Sequence, residues 1–263
     1  GSLSRSSGKF AERGWRDTQV RITGPAVASF QRVFLDAWKL LGDEAAPDPA
    51  LMPDLPARDD QFVRLVTDDG EDMLDALVSP VRNLADFDGS ERVRNARIYS
   101  TYLNVIHSAR RRIWISQAYY APDPTFTQEL IAAARRGVDV RLLMPGGGDV
   151  KMMMYAAHAR YTPLLKAGVK LYEYRDTSVM HAKTAVIDGV WSTVGSANLD
   201  YRSFIFNDEA NATVIGREFG TQVEQMFEGD LKVSTEITLE DWRKRPKLDR
   251  VKEVFARVIN RLL

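Results

Sequence analysis

The sequence predicts an α/β fold, a sheet of largely buried strands flanked by helices. Three observations predict it. Apolar, strand-like runs ("IWISQAYY", "VDVRLLMP", "VKLYEYR", "HAKTAVID") alternate with segments of helical periodicity between residues 97 and 188. Strand–helix–strand order of this kind implies neighbouring parallel strands joined by right-handed crossovers. The sequence also repeats itself: "DTQVRITGPAVASFQRVF" lies over "EANATVIGREFGTQVEQMF", with Asp17 on Glu209, Gly24 on Gly216, Val27 on Phe219 and Phe34 on Met226.

Taken in order, "GSLSRSSGKF" lacks the apolar core of a signal peptide and reads as a flexible polar stretch. "DTQVRITG" reads as a strand from Asp17 to Gly24. The helix "PAVASFQRVFLDAWKLL" follows, with Pro25 at its start, where a missing N–H costs nothing. Val27, Phe30, Phe34, Leu35, Trp38 and Leu41 supply its apolar stripe. Residues 1–45 therefore read as the end of an earlier copy of the fold, and the Pro/Asp-rich residues 46–60 as a linker.

The second copy, residues 61–235, opens on the strand "QFVRLVTD". "ARIYSTYLNVIHSARRR" is a helix, "IWISQAYY" a buried strand, "APDPTFT" a turn and "QELIAAARRG" a helix ending at Gly137. The strand "VDVRLLMP", the helix "AHARYTPLLKAG" and the strand "VKLYEYR" repeat the alternation. The strands "HAKTAVID", "VWSTVGSA" and "EANATVIG" and a helix from Arg217 to Leu231 complete it. Residues 236–263 read as a basic amphipathic helix with Leu248, Val251, Val254, Phe255, Val258, Ile259 and Leu262 as its stripe. Docking on its own domain is the preferred reading of that helix, and contact with anionic lipid the other.

Composition narrows the function classes. Lysine plus arginine equals aspartate plus glutamate, 36 each, so global charge does not point to nucleic acid. There is no cysteine, which removes disulfides, thiol nucleophiles and zinc–thiolate sites. No apolar run approaches the roughly 20 residues of a membrane-spanning helix.

The chemistry concentrates in "VMHAKTAVIDGVWSTVGSAN". His181 and Lys183 share parity on a strand and face one side. Such a pair is electrostatically awkward unless an anion such as a phosphate lies between them. Lys183 would neutralise a phosphoryl oxygen, and neutral His181 offers an imidazole nitrogen as nucleophile or proton carrier. Asp188, of opposite parity at the strand's end, is placed to hold the turn into Gly189. Gly195 permits close backbone approach, and Ser196 and Asn198 can donate to phosphoryl oxygens. Glu209, in the next strand, can accept from one imidazole nitrogen and fix the tautomer of the other. No metal-ligand spacing is visible, and the expected site uses no metal or cofactor.

"HAKTAVIDGVWSTVGSANLDYRS" with "NDEANATVIG" resembles the phospholipase D superfamily, most closely bacterial cardiolipin synthases. "GWRDTQVRITGPAV" resembles the segment after the first catalytic motif of those enzymes, and "RRIWISQAYYAPD" and "AARRGVDVRLLMPGGGD" the approach to the second. The resemblance implies a phospholipase D-like mixed sheet flanked by helices, one nearly complete repeat preceded by the tail of another. It implies a catalytic set of His181, Lys183, Asp188 and Glu209, with Lys183, Ser196 and Asn198 on the phosphate. It implies phosphatidyl transfer between two phosphatidylglycerols through a phosphatidyl-histidine, on the cytoplasmic face of a bacterial inner membrane. The partners implied are phosphatidylglycerol, an anionic membrane surface, and either an N-terminal half bearing a second motif or a second copy of the chain. No nucleic-acid partner is expected. A phospholipase D-type hydrolase, an inactive lipid-binding half-enzyme and a superfamily nuclease are the alternatives.

Elsewhere, His107 reads as an exposed helix residue. His158, after the "PGGGD" loop at the end of a strand, is the better outsider. Gly146 to Gly148 form a rim rather than a P-loop, since the Lys-Ser/Thr is missing. Tyr119, Tyr120 and Pro122 read as core and turn, and Met152 to Met154 as helix packing rather than lipid contact.

Overall fold

The computed structural model describes residues 2–6, 9–10, 13–41, 55–56, 61–68, 96–147, 151–176, 179–246, 249 and 252–253. The strands are β1 Ser2–Ser6, β2 Lys9–Phe10, β3 Arg13–Arg21, β4 Phe62–Asp68, β5 Arg112–Gln117, β6 Tyr120–Ala121 and β7 Asp139–Pro145. They continue with β8 Lys170–Tyr174, β9 Val179–Met180, β10 Lys183–Ile187, β11 Trp191–Gly195, β12 Leu199–Asp200, β13 Glu209–Ile215 and β14 Ser234–Ile237. The helices are α1 Val27–Leu41, α2 Arg97–Ser108, α3 Pro124–Arg135, α4 Lys151–Lys166, α5 Tyr201–Ile205, α6 Arg217–Leu231 and α7 Leu239–Lys244.

Eight strands form one mixed sheet in the order β14-β8-β7-β5-β10-β11-β13-β4. β5, β7 and β8 are parallel, as crossovers through α3 and α4 require, and the other neighbours run antiparallel. β10 is central, and all five residues of "KTAVI" are buried. One face packs on α2, α3 and α4 through Tyr102, Phe126, Leu130 and Tyr161, together with Ile113, Ile115 and Leu142 of the sheet. The opposite face takes Phe219, Val223 and Phe227 of α6 against Trp114, Val186 and Val194. Trp114 stacks on Phe227 at 5.4 Å. Gly220 allows α6 to approach this closely, because an added Cβ would lie 2.3 Å from the Gly189 carbonyl oxygen.

Three boundaries differ from the sequence reading. "APDPTFT" is the start of α3, not only a turn. Asp123 caps it by accepting from the Thr125 and Phe126 N–H groups, and Pro124 occupies the first helical position. Ser2–Ser6, read as flexible, pairs antiparallel with β3, because backbone ladders need no apolar side chains. Ser234–Ile237 is an edge strand on β8, and α7 begins only at Leu239. Most of the 46–60 linker and the whole apolar stripe from Leu248 to Leu262 lie outside the described residues.

β3 stands apart from the large sheet and pairs in parallel with β9, Trp15 opposite Val179 and Arg16 opposite Met180. A buried ion pair from Arg16 to Asp230 of α6 fixes that placement. The residues before α1 are thereby held beside the chain leading into His181, whose N–H donates to the Arg16 carbonyl at 2.8 Å.

Candidate active site

The candidate residues gather at one edge of the sheet. β10 starts there at Lys183, opposite Gln117 where β5 ends. β11 ends there at Gly195, opposite Asn211, and β13 starts there at Glu209, opposite Asp68. Paired residues point to the same face, so Gln117, Lys183, Glu209 and Asn211 form a polar patch at the rim of an otherwise apolar layer.

His181 Nδ1 lies 2.9 Å from Asp17 Oδ2, and both side chains are about one-third exposed (36% and 35%). Burial opposes the charge on Asp17. The hydrogen bonds from His181 and the Thr18 N–H, with the charges of His181 and Lys183, outweigh it and hold the carboxyl below its ordinary pKa. An ionised carboxylate can only accept, so Nδ1 carries the proton and Nε2 presents its lone pair outward. Trp15 adds an edge-on ring contact to the imidazole at 4.6 Å.

Lys183 is 5% exposed, and its Nζ donates to the His181 carbonyl at 2.6 Å. Burial pulls its pKa down to about 8, against the charges of Asp17, Glu209 and Asp200, which raise it. Asp200 is itself buried: it caps α5 at the Ser203 N–H, and burial raises its carboxyl. Three carboxylates thus act on one buried ammonium, whose hydrogen bond among the described residues goes to a backbone carbonyl rather than to any of them.

The Gly-Ser-x-Asn turn is built by close contact. A Cβ on Gly195 would sit 2.0 Å from Asn211 Oδ1 and 2.5 Å from the Ala210 carbonyl oxygen, so only glycine fits. Asn211 accepts from the Ala197 N–H and donates to Thr193, clamping the turn. Ser196 Oγ accepts from the Ala210 N–H at 3.0 Å, which leaves its O–H to donate outward. Asn198 carries a buried amide oxygen without a hydrogen-bond partner among the described residues.

The structure brings His181, Lys183, Ser196, Asn198 and Glu209 to one end of the sheet and departs from the sequence reading twice. The carboxylate behind the imidazole is Asp17, from the preceding unit, whereas Glu209 accepts from Asn207 Nδ2 at 3.1 Å. Asp188 lies at the far end of β10. There it accepts from the N–H groups of Arg110, Arg111 and Arg112 at 2.8–2.9 Å, with φ at +54°. Its work is to join β10 to the α2–β5 turn, where the sequence reading has it hold the turn into Gly189 and the resemblance puts it in the catalytic set. Sequence reasoning missed Asp200 and Gln117. Asp200 had a signal, a capping aspartate just after the Gly-Ser-x-Asn turn. Gln117 had none until the strand register placed it opposite Lys183.

Residues 102–231 match the family described as "Cardiolipin synthase, PLD-like domain". A Bacillus anthracis protein named cardiolipin synthase 2 is 33% identical over 249 residues, 95% of this chain and 45% of that protein. Cardiolipin synthase A of Pseudomonas entomophila is 32% identical over 249 residues, 95% of this chain and 47% of that protein. The chain therefore spans about half the length of these relatives. Among solved structures, phosphatidylserine synthase of Haemophilus influenzae superposes with a TM-score of 0.61 at 11% identity, covering 95% of this chain and 64% of the other. Nuc of Salmonella typhimurium, a phospholipase D family member, gives 0.51 at 18%, covering 68% and 99%. At such identities the two structures show a shared fold. Residues 102–231 therefore carry a PLD-like domain of the cardiolipin synthase family, and the chain is similar to cardiolipin synthases over 95% of its length.

Proposed function

We propose that the chain supplies half of a phosphatidyltransferase that joins two phosphatidylglycerols into cardiolipin and glycerol. His181 is one of its two histidines. In the first step one imidazole Nε2 attacks phosphorus and the bond to the head-group glycerol breaks, the other histidine protonating the departing oxygen. That histidine then takes the proton from a hydroxyl of a second phosphatidylglycerol, whose oxygen displaces the imidazole. Lys183, Ser196 and Asn198 hold the non-bridging oxygens, Asn198 with its amide turned to present the NH2 group.

The observation that carries this reading is the exchange of carboxylates between the two units. Asp17 and Glu209 occupy equivalent places in the repeat, and Asp17 serves a histidine of the following unit. By the same symmetry Glu209 serves a histidine of the preceding unit, which a longer chain or a second copy provides. The exposed face of α1 fits that arrangement. Phe34, Leu35 and Trp38 fall on the α6 positions Met226, Phe227 and Asp230; Leu35 is buried like Phe227, whereas Phe34 and Trp38 are 56% and 48% exposed where Met226 and Asp230 pack on β3. We assign residues 1–45 to the end of the first repeat and this α1 face to that repeat's own sheet. On this reading we assign the protein peripherally to the cytoplasmic face of a bacterial inner membrane. No helix among the described residues is long and apolar enough to cross one.

A hydrolase would use the same residues with water as the second nucleophile. Product analysis separates the two on phosphatidylglycerol vesicles, using a protein in which this chain is joined to a second motif-bearing half. Cardiolipin and glycerol in equal amounts are expected, and phosphatidic acid as the main product would overturn the transfer reading.

A further inference from the structure

A narrow apolar slot opens beside the phosphate site, on the same face and at the same edge of the sheet. Tyr119, Tyr120, Met144, Met153, Met154 and His158 are among the residues that line it. The strand register ties it to the catalytic row. Met144 pairs with Glu173, Leu143 pairs with Ser116, and Gln117 pairs with Lys183. One cross-strand line therefore runs from Glu173 through Met144 and Gln117 to Lys183. At a strand spacing of about 4.8 Å, Met144 and Lys183 stand on strands roughly 10 Å apart.

The imidazole of the slot and the Tyr161 hydroxyl are already committed. His158 Nε2 lies 3.2 Å from Glu173 Oε1, and the Tyr161 hydroxyl donates to the same oxygen at 3.3 Å. Arg175 pairs with the other oxygen of this buried carboxylate. The guanidinium balances the charge of Glu173. Of the residues lining the slot only His158 is basic, and it already faces Glu173, so a charged head group would find no free cation there. The cavity measures about 30 Å³, room for a single water-sized group. Three of its lining residues, Met144, Met153 and Met154, are methionines, whose three torsions let them move aside at little cost.

We propose that this slot receives the first methylenes of one acyl chain of the phospholipid whose phosphate rests at Lys183. The proposal depends on the phosphatidyl-transfer reading and adds to it where the donor lipid's chain leaves the membrane surface. Met153 and Met154 then act as an adaptable gate rather than as simple helix packing.

Photolabelling tests it on the chain itself. Phosphatidylglycerol bearing a diazirine near the acyl carbonyl is irradiated with the chain in detergent micelles, and labelled peptides are mapped by mass spectrometry. The expected result is saturable labelling of Tyr119–Tyr120 or of helix Lys151–Lys166. Unlabelled phosphatidylglycerol should remove it and the matching free fatty acid should not. Met154→Trp, with Ala157→Leu as a second filling variant should the first not fold, should cut it at least fivefold. Labelling elsewhere, labelling unchanged in a folded filling variant, or equal competition by the fatty acid would overturn the slot. If the two-half protein still turns over phosphatidylglycerol, only the slot falls. If labelling is not saturable and turnover is also absent, the transfer reading falls with it.

Discussion

Asp17→Asn isolates the carboxylate that the fold borrows from the preceding unit. The variant keeps side-chain size and removes the charge 2.9 Å from His181 Nδ1. A hydrogen bond between charged partners contributes about 1.5–3 kcal/mol when fully buried. Here both groups are about one-third exposed, so solvent screening leaves roughly half, about 0.8–1.5 kcal/mol. At 1.36 kcal/mol per decade, the ratio of Nδ1–H to Nε2–H tautomers should fall roughly four- to twelvefold. With three histidines in the chain, imidazole 15N–1H correlation spectra can follow His181 directly. In the two-half protein the same variant should lower kcat at least about tenfold, because Nε2 carries the proton in the wrong tautomer. An unchanged tautomer ratio in Asp17→Asn would refute the reasoning, whatever happens to activity.

Three other outcomes follow from the same geometry. Lys183→Met should abolish binding of inorganic phosphate by calorimetry without lowering Tm at pH 7, since it removes a poorly solvated buried charge. In the native protein, Lys183 has a folded pKa of about 8 against 10.5. The unfolded chain therefore holds the extra proton between those values, so this group makes stability rise with pH across that window while phosphate affinity falls above about 8. Asp188→Ala should cost about 2–4 kcal/mol in denaturant melts by freeing three N–H groups, yet leave kcat unchanged where the protein is folded. The double variant Phe34→Ser/Trp38→Ser should leave the Tm of this chain within a degree or two, because both side chains are exposed, and should prevent assembly with the other half in a pull-down.

The parts of the fold that were legible in the sequence are those where local pattern and burial agree. "KTAVI" and "VDVRLLMP" are apolar on both sides because both faces of their strands are covered, and they form β10 and β7. The start of α3 escaped because Asp-Pro signals a turn and a helix cap equally well. The edge strand β14, "STEI", has intermediate and exposed residues only, so burial leaves no mark on it. At the site, parity and spacing located His181, Lys183, Ser196 and Asn198, which are near one another in the chain. The partner of His181 was assigned to Glu209, 28 positions on, although it is Asp17, 164 positions back. Local spacing carries no information about which carboxylate a distant strand pairing delivers. Here the decisive contacts, β3 with β9 and Arg16 with Asp230, are non-local.

The most direct measurement is phosphatidyl transfer by a protein that unites this chain with a second motif-bearing half, made with and without His181→Ala. On phosphatidylglycerol vesicles the intact protein should form cardiolipin. The variant should form none above background while retaining its Tm, since the one-third-exposed imidazole contributes little to the fold. Undiminished cardiolipin formation by His181→Ala would contradict the assignment of this site.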